Sequence, residues 1–391
     1  MKKITYMLFL ILSICQAKAQ KLDSVLNLVR NQNKSLKYYE SETDAEKMAF
    51  RTGLNPENPT VEYDVLFGTP EGAGTQKEFA VTQRFDFPTS YTYRRQLSDE
   101  KIKKSGFMAR AKVQEVLLNV KLDWLQWVYL NQLSLSYQER LTTVEKLNNA
   151  YEKKLKAGDG NILDYNKLKL LLLETKIQFT RYKQQREQLK QKFLLYTGGS
   201  IVAVNETVYP ETPDVPAFEV LDSLIEVADP ILKVYLGEQN IAAKETALSK
   251  ALTLPGFEAG FHSQAILGQK YQGFHVGLTV PLWEKKNTVK QKKLEHKTAE
   301  NKIAEHRLEH LQENKGYYQQ YEEATYLLAE YKKVLDGLKS GALLDKALQF
   351  GEISVIEYYN EILSLYKTHD AYLEYGLLQQ HALAKLFRFT L

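Results

Sequence analysis

Cysteine is all but missing from this sequence: there is one in 391 residues, at Cys15. It falls within an N-terminal export signal, so the mature chain is expected to have neither disulfides nor thiol chemistry. With only four methionines, no soft-ligand cluster favours copper or silver. A surplus of one charge is missing too. The formal net charge is +4, and loss of Lys2, Lys3 and Lys18 with the signal leaves about +1, which argues against a nucleic-acid binder. No apolar run approaches the roughly 20 residues that a membrane-spanning helix needs. Proline is sparse, with 10 in the chain and none between Pro88 and Pro210, so that interval is open to very long helices.

The export signal is read over residues 1–19. Lys2 and Lys3 form its basic region, Ile4 to Ile14 its apolar region, and Ala17-Lys18-Ala19 an A-x-A cleavage site that leaves Gln20 first. Acylation at Cys15 is the rival, but Ile14 stands where lipidation sites take a small residue. The 25 tyrosines, 16 phenylalanines and three tryptophans suit interfaces as well as cores.

The dominant feature is a repeat. A shift of about 193 residues places Pro88 on Pro281, Gly158 on Gly351, Tyr165 on Tyr358, Leu172 on Leu365, Tyr182 on Tyr375 and Thr197 on Thr390. Residues 20–197 form the first copy and 220–391 the second, joined by a proline-rich linker at 198–219. Each copy reads as a helix, a β-hairpin (about 59–87, then about 256–280), a long helix (88–157, then 281–350) and a return helix (161–197, then 354–390).

The hairpins alternate in polarity. Val61, Tyr63, Val65 and Phe67 share one face and Glu62 and Asp64 the other. Phe79, Val81, Phe85 and Phe87 oppose Glu78, Thr82, Arg84 and Asp86 in the same way, and Phe274, Val276, Leu278 and Val280 alternate with Gly273, His275, Gly277 and Thr279. Strands of about 9 to 11 residues with one apolar face fit a tilted transmembrane strand. Tyr63, Tyr91, Tyr93 and Tyr271 are candidates for an aromatic girdle. In the long helix, apolar residues from Val113 through Trp124, Trp127 and Leu141 to Leu155 recur at spacings of three and four, a coiled-coil pattern. About 70 residues of such helix would extend about 100 Å.

Four strands cannot close a barrel, which takes about eight, and an open sheet in lipid leaves unpaired edges. Further copies of the chain must complete it, and a cyclic trimer would supply twelve strands. The fold class expected is mainly α with membrane β. Duplicated coiled-coil hairpins form a periplasmic α-barrel, and four strands per protomer enter a 12-stranded trimeric outer-membrane β-barrel.

The strand–proline–helix junctions at Asp86-Phe87-Pro88 and Thr279-Val280-Pro281-Leu282 resemble those of the outer membrane efflux protein (TolC) family. So do the tip turns Gly158-Asp159-Gly160-Asn161-Ile162-Leu163-Asp164 and Gly351-Glu352-Ile353-Ser354-Val355-Ile356-Glu357, and the ending Leu194-Leu195-Tyr196-Thr197-Gly198. The resemblance spans the mature chain. It implies a homotrimeric, non-enzymatic exit duct in the outer membrane of a Gram-negative bacterium, without cofactor or nucleic-acid partner. Its implied partners are a periplasmic adaptor, an inner-membrane efflux transporter (RND-type favoured) and outer-membrane lipids. It also places Asp164 and Glu357 on acidic positions at a tip constriction. Asn360 falls where a second acid is usual and Ile353 where some members carry a basic lock. The bland alternative for Asp164 and Glu357 is a solvated acid near a helix start. A periplasmic adaptor remains the alternative function, although adaptors carry one hairpin flanked by small β-domains. His306-Arg307-Leu308-Glu309-His310 also matches a zinc-peptidase pattern, but no third ligand is in view and the surrounding helix is rich in lysine and glutamate.

Overall fold

Two small polar residues, Asn33 and Asp229, break helices that apolar spacing alone would continue. The computed structural model describes residues 22–202, 204–337 and 340–391; the export signal expected over 1–19, with Cys15, lies outside them. The first repeat contains α1 (22–32), α2 (Lys34–Phe50), β1 (Thr60–Phe67), β2 (Thr75–Phe85), α3 (Pro88–Lys156) and α4 (Ile162–Tyr196). The second contains α5 (Phe218–Ala228), α6 (Pro230–Ala251), β3 (Gly256–Ile266), β4 (Gln269–Thr279), α7 (Thr288–Gly337), α8 (Ser340–Phe350), α9 (Val355–Leu386) and a final 3-10 turn, Arg388–Thr390. Asn33 Oδ1 accepts from Leu36 N at 3.0 Å, and Asn33 Nδ2 donates to the Tyr196 carbonyl at 2.9 Å. Asp229 accepts from Ile231 N at 2.8 Å, with Pro230 in the first turn. Each side chain satisfies an N–H that a continuing helix would have bonded to its preceding turn, so the opening helix of each repeat is divided.

The described residues fall into two compact units. One draws on the described residues of 22–38, Lys112–Ala228 and His310–Leu391, the other on Tyr39–Ala111 and Asp229–Glu309. In the first, α3 buries Leu117, Val120, Trp124, Trp127, Leu130, Leu133 and Val144, the predicted stripe. Trp127 meets Phe193 of α4 edge-on at 5.1 Å between ring centroids. Burying side chains of this size is worth about 1.5–3 kcal/mol each, which outweighs the weak intrinsic helix preference of the aromatic and β-branched members. The linker is tied down as well: Asn131 Nδ2 donates to the Val204 and Glu206 carbonyls, each at 2.9 Å.

The second unit holds a four-stranded antiparallel sheet in the order β1-β2-β3-β4. The β2–β3 pairing joins the two repeats, with Val81 opposite Phe261 and Phe85 opposite Phe257. Ion pairs tie the helices beside it, including Lys292–Glu245 at 2.8 Å and Lys302–Glu238 at 2.9 Å.

The two junctions differ. α3 starts at Pro88, whereas the helix expected from Pro281 starts only at Thr288. Residues 281–287 instead make two successive turns, with Lys286 N bonded to the Trp283 carbonyl at 3.0 Å and Thr288 N to that of Lys285 at 3.2 Å. Asn287 has φ 67°. Asparagine tolerates this left-handed geometry better than most residues, and a right-handed helix cannot pass through it.

Candidate functional site

The tips of the two helical hairpins meet in one apolar cluster. Val144, Leu168 and Leu171 from the first repeat pack with Leu348, Val355, Tyr358 and Ile362 from the second. Tyr358 is fully buried and its hydroxyl donates to Asp345 Oδ1 at 2.8 Å. Both turns close alike. Gly158 N bonds the Leu155 carbonyl and Asp159 N that of Lys154, and Gly351 N bonds Leu348 and Glu352 N bonds Ala347. Gly158 and Gly351 have φ of 83° and 74°. This is the left-handed helix ending that glycine adopts without steric cost.

The return helices start with side-chain caps. Asn161 accepts from Leu163 N at 2.9 Å. Ser354 and Glu357 form a reciprocal box, with Ser354 N donating to Glu357 Oε2 at 2.7 Å and Glu357 N to Ser354 Oγ at 3.2 Å. The Ser354 backbone N–H, chiefly, holds the Glu357 carboxyl below the usual carboxylate range. Glu357 and Asn360 are exposed and Asp164 is half-buried in the first turn of α4. Ile353 packs against the apolar cluster, so an aliphatic contact stands where a basic lock was looked for.

Further along the same unit lies a network that the sequence reading passed over. The Arg140 guanidinium is 5% exposed and grips Asp370 with both nitrogens, Nη2 to Oδ1 at 2.6 Å and Nη1 to Oδ2 at 3.0 Å. Tyr137 donates to the same Oδ2 at 2.8 Å. The guanidinium lies 4.4 Å from the Tyr137 ring centroid and 4.2 Å from that of Tyr366. Burial pushes the Asp370 carboxyl up, but His369, Arg140 and Tyr137 together outweigh it and leave it below its ordinary value. Burial pushes the Tyr366 phenol up to about 12. The signal was available: Arg140 falls between Tyr137 and Val144, inside the apolar stripe of α3.

In the other unit, the sheet separates its faces by register. Val61, Val81, Phe261 and Phe274 form one cross-strand row, and Phe85, Phe257 and Leu278 another. Phe274 is 91% exposed and Val276 81%, so none of the described residues covers them. The opposite face carries Arg84, bonded to Glu258 at 2.7 Å, and His275, 3.3 Å from the same carboxylate. Tyr271, proposed for a girdle beside Tyr63, lies in register with Gln264 and so with Glu78, on this polar face. Tyr91 instead accepts a hydrogen bond from Asp86 N at 2.9 Å.

The histidines of the peptidase-like motif have separate partners. His306 Nε2 is 2.7 Å from buried Asp229. His310 is contacted by Arg388 and by Asn314, the latter at 3.3 Å, and Glu309 is exposed. Among the described residues, no group of three histidine, cysteine or acidic side chains is placed to hold a metal ion.

No family model matches the sequence, and no curated relative does. Solved structures do match. The outer-membrane channel OprN superposes with a TM-score of 0.76 at 12% identity, over 95% of this chain and 89% of that one. The chain has the outer-membrane channel fold. The Vibrio cholerae outer membrane protein VceC gives a TM-score of 0.73 at 10% identity, covering 93% of this chain and 96% of its own. The Campylobacter jejuni outer membrane channel CmeC gives 0.72 at 14%, covering 94% and 85%. At such low identity the likeness is one of fold, and it is the fold that the resemblance to the TolC family implied. The channel fold accounts for both the paired tips and the sheet with uncovered edges.

Proposed function

We propose that the chain is the outer-membrane exit duct of a tripartite efflux system in a Gram-negative bacterium. It acts as a passive homotrimeric conduit that docks with a periplasmic adaptor and an inner-membrane transporter, RND-type favoured. The observation that carries this reading is the sheet: four strands, one apolar face without cover, and free edges at β1 and β4. In hydrocarbon an unpaired edge costs several kcal/mol per polar group, so only closure with further copies is viable. Twelve strands from three copies make an even-numbered barrel. An adaptor would need one hairpin and small β-domains, where the described residues of this chain form two helical hairpins and a single sheet.

The tips are the proposed constriction. Three copies of the exposed Glu357 would present a carboxylate ring that attracts cations, with Asp164 and Asn360 close by in sequence register. Reconstituted in planar bilayers, the purified chain is expected to cross-link as a trimer and to conduct, with Glu357→Gln lowering cation preference. A monomer without conductance would sink the proposal. Conductance with unchanged selectivity in Glu357→Gln would remove Glu357 from the constriction alone.

A further inference from the structure

The repeats differ at the junction between sheet and helix, and an exposed tryptophan lies there. In the first copy Pro88 opens α3 at once and Ser90 is buried. In the second, Leu282 and Trp283 stand 72% and 77% exposed on the hydrogen-bonded turns of residues 281–287. The other two tryptophans, Trp124 and Trp127, are 3% and 5% exposed. This segment follows Phe274, Val276 and Leu278, the exposed apolar series of β4, and Val280 just past it, and so continues the band that faces lipid under the proposed function.

The residues that follow are basic. Between Glu284 and Lys297 there are six lysines and two glutamates. Lys285 pairs with Glu284, and Lys292 is held by Glu245 and Glu295. Among the described residues no carboxylate is within ion-pairing distance of Lys286, Lys290 or Lys293. Lys290, Lys293 and Lys297 recur at spacings of three and four on one side of α7, with Leu294 60% exposed among them. Lys297 is paired with Glu300 at 2.9 Å, which leaves Lys286, Lys290 and Lys293 beside the indole at the rim of an apolar band, the composition of a membrane-interface anchor.

We propose that the Pro281–Asn287 loop and the lysine side of early α7 dock on the periplasmic leaflet of the outer membrane and select anionic phospholipid headgroups. Trp283 sits at headgroup depth, and Lys286, Lys290 and Lys293 attract the negative surface. The proposal rests on the outer-membrane reading, because only that reading places the β4 end at a bilayer surface. The turns hold Trp283 in place before it meets lipid, which limits the ordering cost of docking.

Trp283 supplies its own probe. The full chain is reconstituted in phosphatidylcholine vesicles containing the same mole fraction of brominated phosphatidylglycerol or brominated phosphatidylcholine, and W283F gives the background from the buried indoles. Bromine should quench the Trp283 emission, more strongly on phosphatidylglycerol. Each lysine removed from the set K286Q, K290Q and K293Q should lower that preference about fivefold. No quenching by either lipid would overturn the docking. Equal quenching by both, unmoved by the lysine variants, would overturn headgroup selection. Conductance through the same vesicles separates the two levels: a conducting protein with unquenched Trp283 refutes this inference alone, and a non-conducting one refutes the outer-membrane reading.

Discussion

Neutralising Asp370 tests the physics of the helical unit most directly. Asp370→Asn keeps the shape but removes the charge that both nitrogens of Arg140 hold, leaving a guanidinium that is 5% exposed. Breaking a buried pair by removing one partner costs about 3–5 kcal/mol, because the surviving charge is stranded. Two features reduce that here: the Asp370 side chain is 26% exposed, and the guanidinium keeps both ring contacts. We expect a loss of about 2 kcal/mol, discounted in that way from the buried-pair value. Arg140→Met should cost about 1–2 kcal/mol, since the carboxylate retains Tyr137 and some water. The double variant Arg140→Met/Asp370→Leu should lie within about 1 kcal/mol of wild type, because neither charge is then stranded. Urea unfolding in detergent, followed by helical circular dichroism, closes the cycle. Single costs that add within about 0.5 kcal/mol would refute the reasoning, since residues sharing a network must couple. The pH dependence adds a second check. The folded carboxyl lies below its ordinary value of 3.8, so the charged form is favoured by folding. The advantage over Asp370→Asn is therefore full above that value and fades as pH falls through the lower folded pKa.

Gly351→Ala should destabilise the tip by about 1–2 kcal/mol, because the left-handed backbone strains any Cβ although space around it is open; Gly351→Asn should recover part of this, and hydrogen exchange at residues 348–358 reads both. Ser354→Ala should cost about 1 kcal/mol by removing the cap. It should raise the Glu357 carboxyl only part of the way toward its ordinary 4.5, because the backbone N–H at 354 still donates to it; NMR titration reads this, and a full return to the ordinary value would show that the hydroxyl and not the backbone holds it.

Legibility followed periodicity. The paired strands, the uninterrupted helix to Lys156 and the glycine turns rest on local rules: alternation, absent proline and left-handed glycine. The breaks at Asn33 and Asp229 were hidden because each cap draws on geometry that apolar spacing does not encode. Asn33, for example, also bonds the Tyr196 carbonyl far along the chain. The late start of α7 was hidden for another reason: the alignment of Pro281 with Pro88 suggested a symmetry that Asn287 breaks. At the tips, the capping of Glu357 and the packing of Ile353 against the apolar cluster required atomic positions. Arg140 was readable as a charge inside an apolar stripe, but its partner lies 230 residues away.

The open edges at β1 and β4 also set the order in which such a molecule can be made. Its helices and the β2–β3 pairing are intramolecular, and form at rates that do not depend on how much protein is present. In the proposed trimer the last ladders would join different chains, so that step would speed up with local concentration. Until it occurs, each chain carries two templates for unwanted strand addition beside the bare rings of Phe67 and Phe274. Wrong pairing is intermolecular as well, so a productive assembly depends on copies of this chain meeting one another before they meet other edge strands.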